Sequence, residues 1–493
     1  MTENGARIRY RRVVLLALLA WLAGALLFYR GVWVSGFDRV FGDPGDARFV
    51  MAILEHWFQV FQGQAAWRDP AFFHPVRGVL GYSDALFLFS PPYAFARAAG
   101  VDPYLAYQWT LVCISLIGYA AFFTLAVRVL RVAWPIAILG AWLAVFANNL
   151  YLVAGHPQLY AVHLVPAWLL LVSWAWAQRG RRPGVAMGGA VLAGLFLALL
   201  LYTSFYVGWF LGLALGLFAL AWLLPCGGFL RLTPGHLRES AGLVAGLLLG
   251  FALGIVPFLL TYLPVLAQGF GRDAEVILTW TALPMNLVNV GAENLVWGAL
   301  VERFPGSAAR TVSTTEHSLV PTPALLLIAL SGMVWLLARG GPRLDREQRR
   351  LLAAGSCTLV VLLLLPVRWD GVIPWRWILE LVPGATAIRA VFRLELLAGL
   401  LASLVLVVCL DRWTSRGAGG RACRSRIAVA ALLGGFLVAE QVNTLDVTRV
   451  DRRAGLELLK AGREIPDRCR SFVLGDVRPV ATDHPIALAA AQQ

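Results

Sequence analysis

Apolar stretches long enough to cross a bilayer recur along the whole chain, and this constrains its fold more than any single motif. Runs near residues 13–29, 104–127, 133–153, 158–177, 185–204, 206–224, 242–263, 321–338, 351–366, 389–410 and 427–445 predict about eleven helices. Several lie near the lower limit of roughly 17 residues for a spanning helix. With 59% hydrophobic and only 14% charged residues, and a mean hydropathy of +0.71, the chain is too apolar for a soluble globular fold. The expected class is an all-α polytopic membrane protein, because helices satisfy their own backbone groups in lipid.

A net charge of +14 invites a nucleic-acid reading, but the basic residues are nearly all arginines in short clusters between apolar runs. That is the pattern of positively charged cytoplasmic turns, so no nucleic-acid partner is expected. Arg128 with Arg131, Arg179 to Arg182, Arg231 with Arg238, Arg339 to Arg350 and Arg412 to Arg426 all fit one alternating path with the N-terminus inside. The path holds only if Asp84 to Ala99 does not cross, and Pro91 with Pro92 in its middle would break a spanning helix. Bulky residues after the first apolar run (Tyr29, Arg30, Trp33) predict an uncleaved anchor. The six cysteines have no metal-binding or disulfide spacing. A membrane domain over residues 1–445 and a short extracytoplasmic tail over 446–493 follow, with the outer polar residues concentrated in loops 30–103 and 264–320.

The first of these loops carries Gly42-Asp43-Pro44-Gly45-Asp46 at the head of an amphipathic run. Aspartate at N-cap, proline at N1 and a carboxylate at N3 make an ordinary helix start. Beyond it, Arg48, Glu55, Gln59 and Gln62 form a polar face opposite Phe49, Ile53, Leu54, Trp57, Phe58 and Phe61, which predicts a helix over 46–61 lying on the membrane. Capping accounts for the carboxylates, but His56, His74 and Asp84 nearby leave catalysis or metal binding by Asp43 or Asp46 open.

This layout resembles the GT-C superfamily of integral membrane glycosyltransferases: a first membrane helix, an outer loop with an acidic motif on a membrane-parallel helix, then a multi-helix bundle. Phe73-His74-Pro75, Gly81-Tyr82-Ser83-Asp84, Ala154-Gly155-His156-Pro157-Gln158-Leu159 and Val382-Pro383-Gly384 through Arg389 and Arg393 are similar to stretches in uncharacterised bacterial members. The resemblance implies transfer of a sugar, with inversion, from a polyprenyl-phosphate donor to a glycan, lipid or protein acceptor at the outer face of a bacterial inner membrane. It also implies that Asp43 or Asp46 is the base or a ligand for a divalent metal, Mg or Mn.

Other polar groups at the outer boundary extend the site. Arg389 and Arg393, four apart at the mouth of a helix, share a face suited to a phosphate or to lipid head groups, with Glu395 available to pair with either. His156, Gln158 and His163 cluster at the start of a helix opposite Asn148 and Asn149, as ligand contacts or as an interhelical hydrogen-bond network. The resemblance also implies a role for Glu316, within Ser313 to Ser318, as the acidic residue that some GT-C enzymes place in a later outer loop beside the active site. The alternatives are a transporter or flippase of lipid-linked glycans and a scaffold subunit, although polar residues at one boundary and the lack of an internal repeat speak against a transporter.

Overall fold

The computed structural model describes residues 3–73, 75–223, 234–269, 272–303, 315–339, 346–415 and 424–462. The described residues are mostly helical, with only one two-stranded sheet. Among the described residues, seven helices are long and apolar enough to span a membrane: Arg11–Phe28, Pro103–Val129, Trp134–Leu152, Pro157–Gln178, Pro183–Thr203, Phe205–Leu223 and Val391–Thr414. Ser240–Gly254 and Val256–Leu266 add an eighth if they form one span bent by 54°. Gly254 and Pro257 flank the bend, and Pro257 withholds the backbone donor that would continue the first segment. The remaining expected spans fall on helices Pro323–Arg339, Arg346–Leu364 and Arg424–Ala439, which are shorter or more charged.

The regions expected on the outer face meet at one end of the bundle. Arg39–Val40 pairs antiparallel with Val450–Asp451, with Arg39 opposite Asp451. Arg452 meets Asp102 at 2.9 Å, and Arg453 meets Asp38 at 2.6 Å. The second loop joins them through Asn148, whose carbonyl oxygen accepts from Asn294 (3.1 Å) and Asn443 (2.9 Å). Residues 367–388 are tied in by Arg368, which donates to Leu278 O at 2.6 Å, and by Ala387 O, which accepts from Arg272 at 2.9 Å. At the opposite end of Val391–Thr414, Asp411 accepts from the Ala133 backbone at 2.9 Å, beside Arg131 and Arg412. The turn at 128–133 and the far end of Val391–Thr414 are therefore neighbours. Beyond the short tail helix Arg452–Gly462, the apolar stretch Ser471 to Leu474 lies outside the described residues.

The helix over 46–61 forms with the expected bounds, Asp46–Phe61, but it is not a surface helix. The first half of its expected polar face is inside, with Arg48 7% and Glu55 only 2% exposed, while Gln59 is half-buried and Gln62 exposed. Glu55 is clasped by Arg97 (Nε to Oε2 2.8 Å, Nη2 to Oε1 2.9 Å) and by the Tyr93 hydroxyl at 2.7 Å. Helical spacing identified a polar stripe, and a partner helix supplied the charge that lets the stripe be buried. That partner is Ser90–Ala98, where Pro91 and Pro92 open a short helix instead of interrupting a long one. At nine residues it is too short to cross.

Removing one member of a buried ion pair strands the other, at a cost of about 3–5 kcal/mol. Arg97→Ala should therefore lower stability by about that amount in denaturant unfolding of the detergent-solubilised protein. Arg453→Ala, at the exposed pair with Asp38, should change it by less than about 1 kcal/mol.

Candidate functional site

The first turn of Asp46–Phe61 fixes the two motif carboxylates in different roles. Asp43 Oδ1 accepts the backbone N–H groups of Gly45 (2.7 Å) and Asp46 (3.0 Å), so the helix start is capped from three residues before its first helical position. Gly45, and not Asp43, occupies the boundary position itself. Capping uses one oxygen. The other, Oδ2, lies against Gly155, where any Cβ would collide with it. Gly42, at φ +123°, makes the sharp approach to this motif, a conformation that favours glycine.

Asp46 is directed elsewhere. Its Oδ2 lies 2.6 Å from His156 Nδ1, while His156 Nε2 lies 3.0 Å from Glu316 Oε1. A neutral imidazole has a single N–H, and here both ring nitrogens face carboxylate oxygens, an arrangement that favours the protonated ring. Burial lowers the His156 pKa, but the carboxylates of Asp46 and Glu316 outweigh it, and the net shift is upward. Glu316 is gripped in turn by Arg393, whose Nε donates to Oε2 at 2.9 Å and whose Nη2 pairs with Oε1. Burial raises the Glu316 carboxyl, yet Arg393 and His156 bring it down to about 2.

Two further acids border this chain of charges. Asp84 Oδ1 accepts from the Phe205 backbone at 2.7 Å, capping helix Phe205–Leu223 from the first loop. Its carboxyl is pushed up to about 6 by burial, against the pull of the Phe205 N–H and of Arg393 and His156. Asp43 is also raised, first by burial and further by Asp46. Tyr206, which the sequence reading did not single out, holds the arginines: its ring lies 4.9 Å from the Arg393 guanidinium. Its hydroxyl accepts from the backbones of Arg389 (3.1 Å) and Ala390 (3.2 Å).

Asp43, Asp46, Asp84, His156, Glu316 and Arg393 thus converge from four separate regions of the chain. Other expected members do not join them. Arg389 precedes the helical segment that starts at Val391, so the four-residue spacing places no common helical face. It is exposed, with its guanidinium 4.8 Å from the Trp280 ring. Glu395 pairs with neither arginine: it is fully buried, and neither carboxyl oxygen has a hydrogen-bond partner. His163 points away, its Nε2 3.2 Å from Val145 O, packed against Gly118. Residues Pro157–Leu164 form a 3-10 helix, in which a seven-residue step lands about 120° from its start, so the α-helical one-face argument fails. Gln158 is half-buried, with Oε1 unpartnered, and His74, Ser313 and Thr314 lie outside the described residues. Asn148 and Asn149 serve the loops and not the histidines: Asn149 donates to Leu319 O at 3.0 Å. Trp375 is fully buried, and Trp297 donates to Glu440 at 2.8 Å.

Among the described residues no group of three or more His, Cys, Asp or Glu side chains is arranged to hold a metal ion. The reason is visible in the site: Asp46 and Glu316 already face the His156 imidazolium, and Asp43 spends one oxygen on its turn. As they stand, the described residues of the site do not form a ligand set for a divalent metal. The chain matches no family model, no curated protein and no solved structure.

Two pH limits follow. The raised His156 pKa contributes stability that is complete below pH 6.5, its ordinary value, and is lost as pH rises through the folded value. The depressed Glu316 pKa contributes stability that is present above pH 4.5 and is lost as pH falls toward about 2. In melting curves recorded across pH, His156→Gln should flatten the alkaline decline, and Glu316→Gln the acid one. An alkaline decline of unchanged size in His156→Gln would contradict a charged His156.

Proposed function

We propose that this protein is a membrane glycosyltransferase of the GT-C type, moving a sugar from a polyprenyl-phosphate donor to a cell-envelope acceptor at the outer face of a bacterial inner membrane. In this reading the eight long helical segments and the three shorter ones make eleven spans, with the N-terminus inside and the site end outside. The observation that carries it is the division of labour at Asp43. One carboxylate oxygen builds the turn, and the other is left beside a charged chain of Asp46, His156, Glu316 and Arg393 at the mouth of the bundle.

The chemistry assigned to these groups is a single displacement. Asp43 Oδ2 takes the proton of the acceptor hydroxyl as its oxygen bonds to the anomeric carbon of the donor. The bond from that carbon to the phosphate oxygen breaks, polyprenyl phosphate leaves, and the configuration inverts. Arg393 is committed to Glu316, so the cation left to face the departing phosphate is Arg389, steadied over Trp280. His156 positions Asp46 and offsets the negative charge gathered around Asp43.

The decisive assay supplies labelled polyprenyl-phosphate sugars and membrane acceptors to the purified protein. Asparagine caps a helix as well as aspartate does but is no proton acceptor. Asp43→Asn should therefore fold normally and lose roughly 100-fold or more in transfer. Arg389→Ala should weaken donor binding about tenfold or more, the scale of a charge-assisted contact of roughly 1.5–3 kcal/mol. Full activity in both Asp43→Asn and Asp46→Asn would return the motif to capping alone and favour a transporter.

A further inference from the structure

Residues 367–388 join helix Arg346–Leu364 to the span Val391–Thr414, and the α-helix within them, Trp375–Leu381, has three distinct sides. Trp375 is fully buried, with Ile378 and Leu379 half-buried on the same side. Arg376 and Glu380, four apart, share a second side, and Trp377 and Leu381 share a third. The second is polar and tied down: Arg376 Nη2 lies 3.1 Å from Glu275 Oε1. The third is apolar and bare, with Trp377 57% and Leu381 77% exposed. In water, two large apolar side chains placed together would forgo the gain that burial brings.

What covers that side follows from the depth at which the helix is held. The Trp375 ring packs against Trp209 and Phe210, at 6.0 and 6.5 Å, and Trp209 Nε1 donates to Pro383 O at 2.9 Å. Trp209 and Phe210 lie four and five residues inside the candidate span Phe205–Leu223. At 1.5 Å per residue, that is about 6–8 Å from the end of the span. Both ends of the short helix are therefore fixed below the outermost turn of a membrane-length helix, at a level where lipid surrounds the bundle. Only 28% of that span is buried, so most of its surface faces the same lipid. Tryptophan collects at this level, where hydrocarbon meets head groups. We propose that Trp375–Leu381 is an interfacial helix that sinks Trp377 and Leu381 into the protein's own bilayer and keeps Arg376 and Glu380 among the head groups. Arg389 follows on the same segment, so the contact also sets its height above the lipid.

Carbene footprinting of the full-length wild type in proteoliposomes tests this without any variant that must fold. Two photoactivated diazirines are compared, an apolar aryl diazirine dissolved in the bilayer and a charged one admitted to both sides of the vesicles, with labelling read at each residue by peptide mass spectrometry. The apolar-to-charged labelling ratio should be roughly tenfold or more higher at Trp377 and Leu381 than at Arg376 and Glu380, because an apolar probe concentrates in hydrocarbon. The same ratio at all four residues would place the helix in water and overturn the proposal. Protection of Trp377 and Leu381 from both probes would assign their side to a second copy of the chain, and would overturn it as well.

Discussion

A buried arginine at the start of a helix is electrostatically unwelcome, because the helix N-terminus carries partial positive charge. Arg393 stands there, 4% exposed, at the head of the most buried of the candidate spans. Without a carboxylate its charge would have neither water nor counter-charge, a cost of several kcal/mol. Glu316 meets that need from the second loop, and the resulting pair draws in His156, which draws in Asp46 from the first loop. Charges alternate along this row, so each member lowers the cost of burying the next. The meeting of the loops is thus an electrostatic consequence of where one guanidinium lies.

The same logic separates what the sequence makes legible from what it does not. Apolar length foretold a helical membrane protein, and the amphipathic spacing foretold the helix Asp46–Phe61 with its bounds, whereas the cap-and-proline signature placed its start too early. Local patterns succeed because backbone geometry and dipole effects act within a turn or two. Burial of the Arg48 and Glu55 stripe depended on a partner some forty residues away, Arg97, which periodicity does not reveal. A helix laid on a membrane and a helix inserted among others with its charges paired share one hydrophobic pattern.

At the site, residue type proved informative and spacing proved misleading. Acids, histidine and arginine near predicted helix ends marked most of the groups that converge. The inferences from four- and seven-residue separations failed where the backbone is not α-helical: Arg389 precedes the helix, and His163 sits on a tighter 3-10 segment. Tyr206 was invisible because an aromatic in an apolar run looks like lipid-facing filler. Gly155 stood inside a quoted motif, but its reason, contact with Asp43 Oδ2, exists only across two loops.

The short strand pair linking Arg39–Val40 to Val450–Asp451 is small in area but extreme in chain separation. Its flanking contacts, Asp38 with Arg453 and Arg30 with Asn443, join residues 415 and 413 positions apart. Closing such contacts is the slowest kind of step for a folding chain. During synthesis, the segment bearing Asp43 emerges early and then waits beside the membrane while nearly every later helix is inserted. Closure of the strand pair beside the acidic centre is thereby timed by the last stretch of translation. A ribosome that stalls before residue 450 would leave Asp38, Arg39 and Val40 without their partners, although the contacts of Asp46 and Asp84 with His156 and Phe205 are already within reach.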